Sequence, residues 1–132
     1  SPMSRGLGDV YKRQAIMLIL SINKTIEMIA NTPKTPYYAV IFTSIRTTID
    51  SDYYEMTDFI LELAKQQKGF LGVESARNEV GITVSYWESL EAIKNWKAHS
   101  EHRIAQRRGR NEWYKCYKTR IAKVERDYGF NE

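Results

Sequence analysis

Between Gly69 and His102 the chain reads GFLGVESARNEVGITVSYWESLEAIKNWKAHSEH, and no other stretch limits the possible folds as much. Phe70 to Arg77 and Gly81 to Trp87 have strand-like composition. The Asn78-Glu79-Val80-Gly81 segment between them supplies the asparagine and glycine that suit a hairpin turn. Ser89 stands where a helix wants its N-cap, and Glu91 falls in the first turn, where the helix dipole favours a carboxylate. Leu90, Ile93 and Trp96 or Lys97 share one side. Ser100 offers a second cap for a further helical segment to about Arg108, with Gly109 as its stop.

Upstream, Pro33 and Pro36 favour an extended entry, and Tyr37 to Thr47 alternates in β-branched and aromatic residues as a strand does. Asp52-Tyr53-Tyr54-Glu55 has the form of a capping box. Met56, Phe59, Ile60, Leu63 and Ala64 then recur at helical spacing until Gly69. Trp113 to Val124 reads as a last strand, with topology deciding against a helix. The order β, α, β, β, α, β with short connections predicts an α+β, ferredoxin-like antiparallel sheet with both helices on one face. Ile41, Thr43 and Ile45 alternate with Val40, Phe42 and Ser44, so neither face is cleanly polar. An apolar face left wet predicts that two such sheets pair into a dimeric α/β barrel.

A length of 132 residues allows one domain. The net charge of +4 owes +2 to the first fourteen residues, where Arg5, Lys12 and Arg13 stand against Asp9. The densest basic run, Arg103 to Arg110, lacks interleaved aromatics and reads as a solvated helix face, so no nucleic-acid partner is expected. The single Cys116 excludes an internal disulfide and points to a reducing, cytoplasmic setting. Residues 4–14, SRGLGDVYKRQ, resemble a translated sequencing-library adaptor, as expected of a metagenomic reading frame extended upstream. Residues 15–22, AIMLILSI, are too short to span a bilayer, and no membrane partner is expected. The expected organisation is a non-native extension over 1–27 and one domain over 28–132.

The runs PYYAVIFTS, QQKGFLGVESAR, GITVSYWESLEAIKNWKAHSEH and WYKCYKTRIAKVERDYGF together resemble the antibiotic biosynthesis monooxygenase family. The likeness is to its small stand-alone, haem-degrading-monooxygenase-like bacterial branch and covers Met28 to Phe130. It implies a homodimeric barrel and oxygen chemistry on a planar aromatic or porphyrin-like substrate, haem among them. It also implies that no cofactor or metal is required, haem being substrate or ligand if it binds. In the haem-degrading branch the site comprises an Asn on strand one, a Trp late in the second helix and a His downstream. Trp96 matches that Trp. Gln106 stands where the His belongs, and strand one offers Phe42, Thr43 and Ser44 where the Asn belongs.

A cofactor-independent monooxygenase needs a base, a dry pocket and groups that orient the rings of its substrate. His102 is the expected base, since an unperturbed imidazole titrates near neutrality. Trp96 is its expected catalytic partner. His99, Arg46 and Trp87 are expected ligand-binding residues: a second imidazole three residues before His102, a cation for a substrate carboxylate or phenolate, and an aromatic at the strand-helix corner. A core Trp, a surface His and a solvated Arg remain the plainer readings of these positions. Two histidines without a carboxylate triad make no metal site. Trp113, Tyr114 and Tyr117 are expected in dimer packing. A small hydrophobic or aromatic molecule is the expected partner, and a non-catalytic ligand-binding or stress-related dimer is the alternative.

Overall fold

The computed structural model describes residues 28–107 and 112–131, with only the backbone for 105–107. The adaptor-like run, the rest of 1–27, the side chain of Gln106 and the helix stop at Gly109 lie outside the described residues. Asn31–Glu132 form one compact unit.

The elements are β1 (Tyr37–Arg46), α1 (Tyr53–Lys65), β2 (Phe70–Arg77), β3 (Gly81–Trp87), α2 (Leu90–Arg107) and β4 (Tyr114–Val124). The strands form one antiparallel sheet in the order β2-β3-β1-β4. This is the ferredoxin-like α+β fold that the order of elements predicts.

Because side chains alternate along a strand, the register sorts every residue to a face. On the helix-covered face four rows cross the sheet: Phe70, Trp87, Tyr38 and Lys123; then Val73, Ser85, Val40 and Ile121; then Ser75, Thr83, Phe42 and Thr119; then Arg77, Gly81, Ser44 and Tyr117. The open face carries Gly72, Tyr86, Ala39 and Ala122, then Glu74, Val84, Ile41 and Arg120, then Ala76, Ile82, Thr43 and Lys118.

The core under the helices is split in two. Trp87, Ala92 and Ile93 close over Tyr38, Val40, Phe70 and Trp96 at one end. Tyr53, Met56, Ile104 and Trp113 gather Phe59, Ile60 and Tyr114 at the other. Trp113 is therefore core, not interface: it is 3% exposed and its indole N–H donates to the Ser51 carbonyl at 3.0 Å. Tyr114 is half-buried against the same cluster, and Tyr117 is exposed.

Gly69 fixes how the hairpin meets α2. Its φ of 89° is one that L side chains rarely adopt, and an added Cβ would lie 2.7 Å from the Ala92 Cβ. Its carbonyl accepts the Glu88 N–H at 2.8 Å. Ser89 caps α2 as expected, accepting the Ala92 N–H at 3.0 Å. Two local expectations are corrected. Asp52 occupies the N-cap of α1 but makes no side-chain cap, because its left-handed backbone (φ 61°) departs from the extended conformation that aims a capping oxygen. Ser100 starts no second helix: α2 runs unbroken through it, and its hydroxyl donates back to the Lys97 carbonyl at 3.2 Å.

The two outer strands differ. β2 is irregular between Phe70 and Gly72, whereas β4 is exposed along nearly its whole length.

Candidate functional site

The residues expected from the sequence lie mostly along α2. Trp87, at the end of β3, is wholly enclosed, with its indole N–H donating to the Ser85 hydroxyl at 2.9 Å. Trp96 lies against it with ring centroids 5.8 Å apart and planes 24° from parallel, and is half-buried. His99 continues the array, 6.2 Å from Trp96, on an exposed part of the helix. The spacing of three residues places neighbours on one helix face, which is why the rings meet. His102 follows three residues later, also exposed. The structure thus stacks Trp96 on Trp87 and sets His99 beside Trp96 at a tilt of 34°.

Arg46 belongs to a different corner. Its guanidinium lies 3.4 Å above the Tyr53 ring, donates to the Ile49 carbonyl at 3.0 Å and pairs with Asp50 at 2.8 Å. These contacts occupy it in closing the β1–α1 connection.

Two groups escaped the sequence reading. The first lies in the rows of the helix-covered face nearest the end of β1. Arg77 reaches across β3 and donates to the Ser44 hydroxyl, and at 3.4 Å to the Ser44 carbonyl. Ser44 is 1% exposed. Gly81 lies beneath the guanidinium, so a Cβ there would stand 2.1 Å from Cζ. In the next row the hydroxyls of Ser75 and Thr83 share a hydrogen bond at 3.0 Å, and Phe42 meets Tyr117 with centroids 5.4 Å apart. A polar strip therefore lies on the face that helices cover. Only the register shows it, although an Arg four residues before a Gly across a hairpin was a signal in the sequence.

The second group is on the open face. The Tyr86 hydroxyl donates to the Glu74 carboxylate at 2.5 Å, and the Tyr86 ring meets Tyr37 edge-on at 5.7 Å. The Tyr37 hydroxyl donates to Asp127, and Thr32 donates to both, at 3.0 Å to Tyr37 and 3.3 Å to Asp127. Burial, and then the hydrogen bond to Glu74, push the Tyr86 hydroxyl well above the ordinary tyrosine value. Burial and the bond to Asp127 raise Tyr37 in the same direction. At neutral pH both are held as donors.

Among the described residues no group of three or more His, Cys, Asp or Glu is placed to hold a metal ion, and no helix is long and apolar enough to cross a membrane.

No family model matches this chain. In shape it is similar to PA3566 from Pseudomonas aeruginosa (TM-score 0.55, 14% identity, 71% of this chain and 97% of that one). It is also similar to a candidate antibiotic biosynthesis monooxygenase from Nitrosomonas europaea (TM-score 0.53, 13% identity, 70% and 92%). A third likeness is to SnoaB, a cofactor-independent oxygenase from Streptomyces nogalater (TM-score 0.53, 8% identity, 74% and 100%). Its structural neighbours are thus antibiotic biosynthesis monooxygenase-like proteins, and at these identities the likeness is one of fold. In sequence the chain is 47% identical over 108 residues to the uncharacterized protein YqjZ of Bacillus subtilis strain 168, covering 80% of this chain and 95% of that protein. With that identity sustained over nearly the whole of the relative, the chain belongs to the family of Bacillus subtilis YqjZ.

Proposed function

We propose that the chain is a cofactor-independent monooxygenase that oxidises a planar aromatic substrate with dioxygen. The observation that carries this reading is the array of Trp87, Trp96 and His99, in which a buried indole backs a half-buried one beside an exposed, tilted imidazole. Such an array offers a flat platform next to imidazoles whose ring nitrogens can accept a proton. The fold shared with SnoaB supports the reading at the level of fold only.

In this reading the substrate ring lies against Trp96, and His102, with His99 beside it, takes the acidic proton of the substrate. The resulting anion passes one electron to dioxygen, and the radical pair combines as a peroxide. Loss of water then turns a ring CH2 into a carbonyl, so both oxygen atoms are accounted for and dioxygen is the only oxidant. Trp87 holds Trp96 in place, and Arg46 supports the adjoining corner without touching the substrate.

A second copy of the chain completes the molecule in this reading. Ile45 and Ile82 on the open face are 38% and 45% exposed, alongside Ile41, Val84 and Ala76. Covering that face would bury on the order of 1,200 Å² or more. Sedimentation at micromolar concentration should give a dimer, and a monomer would remove the barrel.

The test of the activity is oxygen uptake with a polycyclic phenol, run beside a haemin titration followed by a reductant. Stoichiometric oxygen consumption and a new quinone band, lost in His102→Ala, support the proposal. Loss of the haemin Soret band on reduction would make haem the substrate. Binding of either ligand without turnover would leave a ligand-binding dimer and end the enzymatic reading.

A further inference from the structure

We propose that Arg77, seated on Gly81 and anchored by Ser44, is a receptor for the anionic oxygen of an aromatic ligand, a carboxylate or phenolate. The ring system of that ligand rests on the function proposed above; the preference for an anion does not.

Among the described residues no carboxylate forms an ion pair with Arg77. The ion pairs among the described residues are Arg46 with Asp50 and Lys65 with Glu62, and the hydrogen bonds of Arg77 go to the hydroxyl and carbonyl of Ser44, both neutral. A guanidinium has five N–H donors in a fixed plane, so a fork remains for a planar anion after Ser44 is served. The side chain is also held in place. Ser44 is 1% exposed, and the guanidinium rests against the bare backbone of Gly81, where a Cβ would stand 2.1 Å from Cζ and from Nη2. A cation fixed before binding loses little freedom when a ligand arrives.

The surroundings match an aromatic anion better than a metal-bound or peptide group. The next row of the same face places the paired hydroxyls of Ser75 and Thr83 beside Phe42, and Tyr117 stands in the row of Arg77 itself. Hydroxyls can donate to a second oxygen of the ligand while the rings meet its flat surface. This strip also lies between the two apolar clusters, on the side where a ferredoxin-like sheet ordinarily meets its helices with hydrocarbon.

The experiment compares naphthalene-2-carboxylate with naphthalene-2-carboxamide by calorimetric titration, using benzoate as a small second probe. The intact chain should prefer the carboxylate by about ten-fold or more, the size expected for a hydrogen bond to a charged group. Arg77→Gln should reduce that preference to below about two-fold, and Arg77→Lys, which keeps the charge without the fork, should fall between. Gly81→Ala keeps the arginine but drives its guanidinium off the strand, and should lose the preference too. Equal affinity for the two naphthalenes in the intact chain, a preference that survives Arg77→Gln, or no saturable binding of either carboxylate overturns the receptor. A carboxylate preference with no oxygen uptake from polycyclic phenols keeps the receptor and removes the oxygenase. Oxygen uptake with no anion preference does the reverse.

Discussion

At one end of the helix-covered sheet face Trp87, Tyr38, Phe70 and Val40 close against Ala92, Ile93 and Trp96. In the next two rows the same strands present Ser75 and Thr83, then Arg77 and Ser44. The first end behaves as an interior: Trp87 has no exposed surface, and its one polar atom is satisfied by Ser85. In the polar rows a buried hydroxyl serves to hold a charge at the surface. The contrast teaches that a sheet face under helices need not be uniform, and that its polar part is where chemistry should be sought.

The largest effect is expected at the apolar end. Trp87→Ala should cost about 3–5 kcal/mol of folding stability in denaturant titration, since a fully enclosed indole leaves a cavity that its neighbours fill only in part. Next, Gly69→Ala should cost on the order of 1–3 kcal/mol, because the new methyl must occupy a left-handed backbone and displace the Ala92 side chain. Ser44→Ala should cost only about 1–2 kcal/mol, the worth of one buried hydrogen bond, while weakening carboxylate binding as Arg77 loosens. If Ser44→Ala proved as damaging as Trp87→Ala, the two regions would be one core and the contrast would fail.

The smallest effect lies on the other face and depends on pH. Tyr86 has a folded pKa raised above the ordinary value of 10.0, so the stability it confers is fully present below that value and is lost as pH rises through the higher folded value. Melting temperature should therefore decline above about pH 10. Tyr86→Phe should flatten that decline, leaving the part due to Tyr37, whose shift has the same sign. An unchanged slope would show that the bond to Glu74 is not kept in solution.

The sheet and helices were legible because they depend on short-range periodicity: alternation from Tyr37 to Thr47, the stripe from Met56 to Ala64, and the turn at Asn78. The closeness of Trp96 and His99 was legible for the same reason, being a matter of helical spacing. Arg77 with Ser44 joins residues 33 positions apart, and Tyr37 with Asp127 joins residues 90 apart. Such pairs exist only once strand register is set, and composition carries no trace of register. Asp52 shows the limit of a local rule: the motif was present, but the backbone turned left-handed and the cap did not form.

The exposed outer strand has one more consequence. β4 carries Lys115, Lys118, Arg120 and Lys123 within its 11 residues, all of them exposed. A strand from another copy laid along that edge would bring its own cations within roughly 5 Å of these. The repulsion works against open-ended growth of the sheet, and the irregular start of β2 spoils the register of the opposite edge. A crowded solution of partly folded chains would therefore meet like charge at one border and a misfit at the other. High salt, which screens the first guard and leaves the second, should make β4 the border at which fibrillar assembly begins.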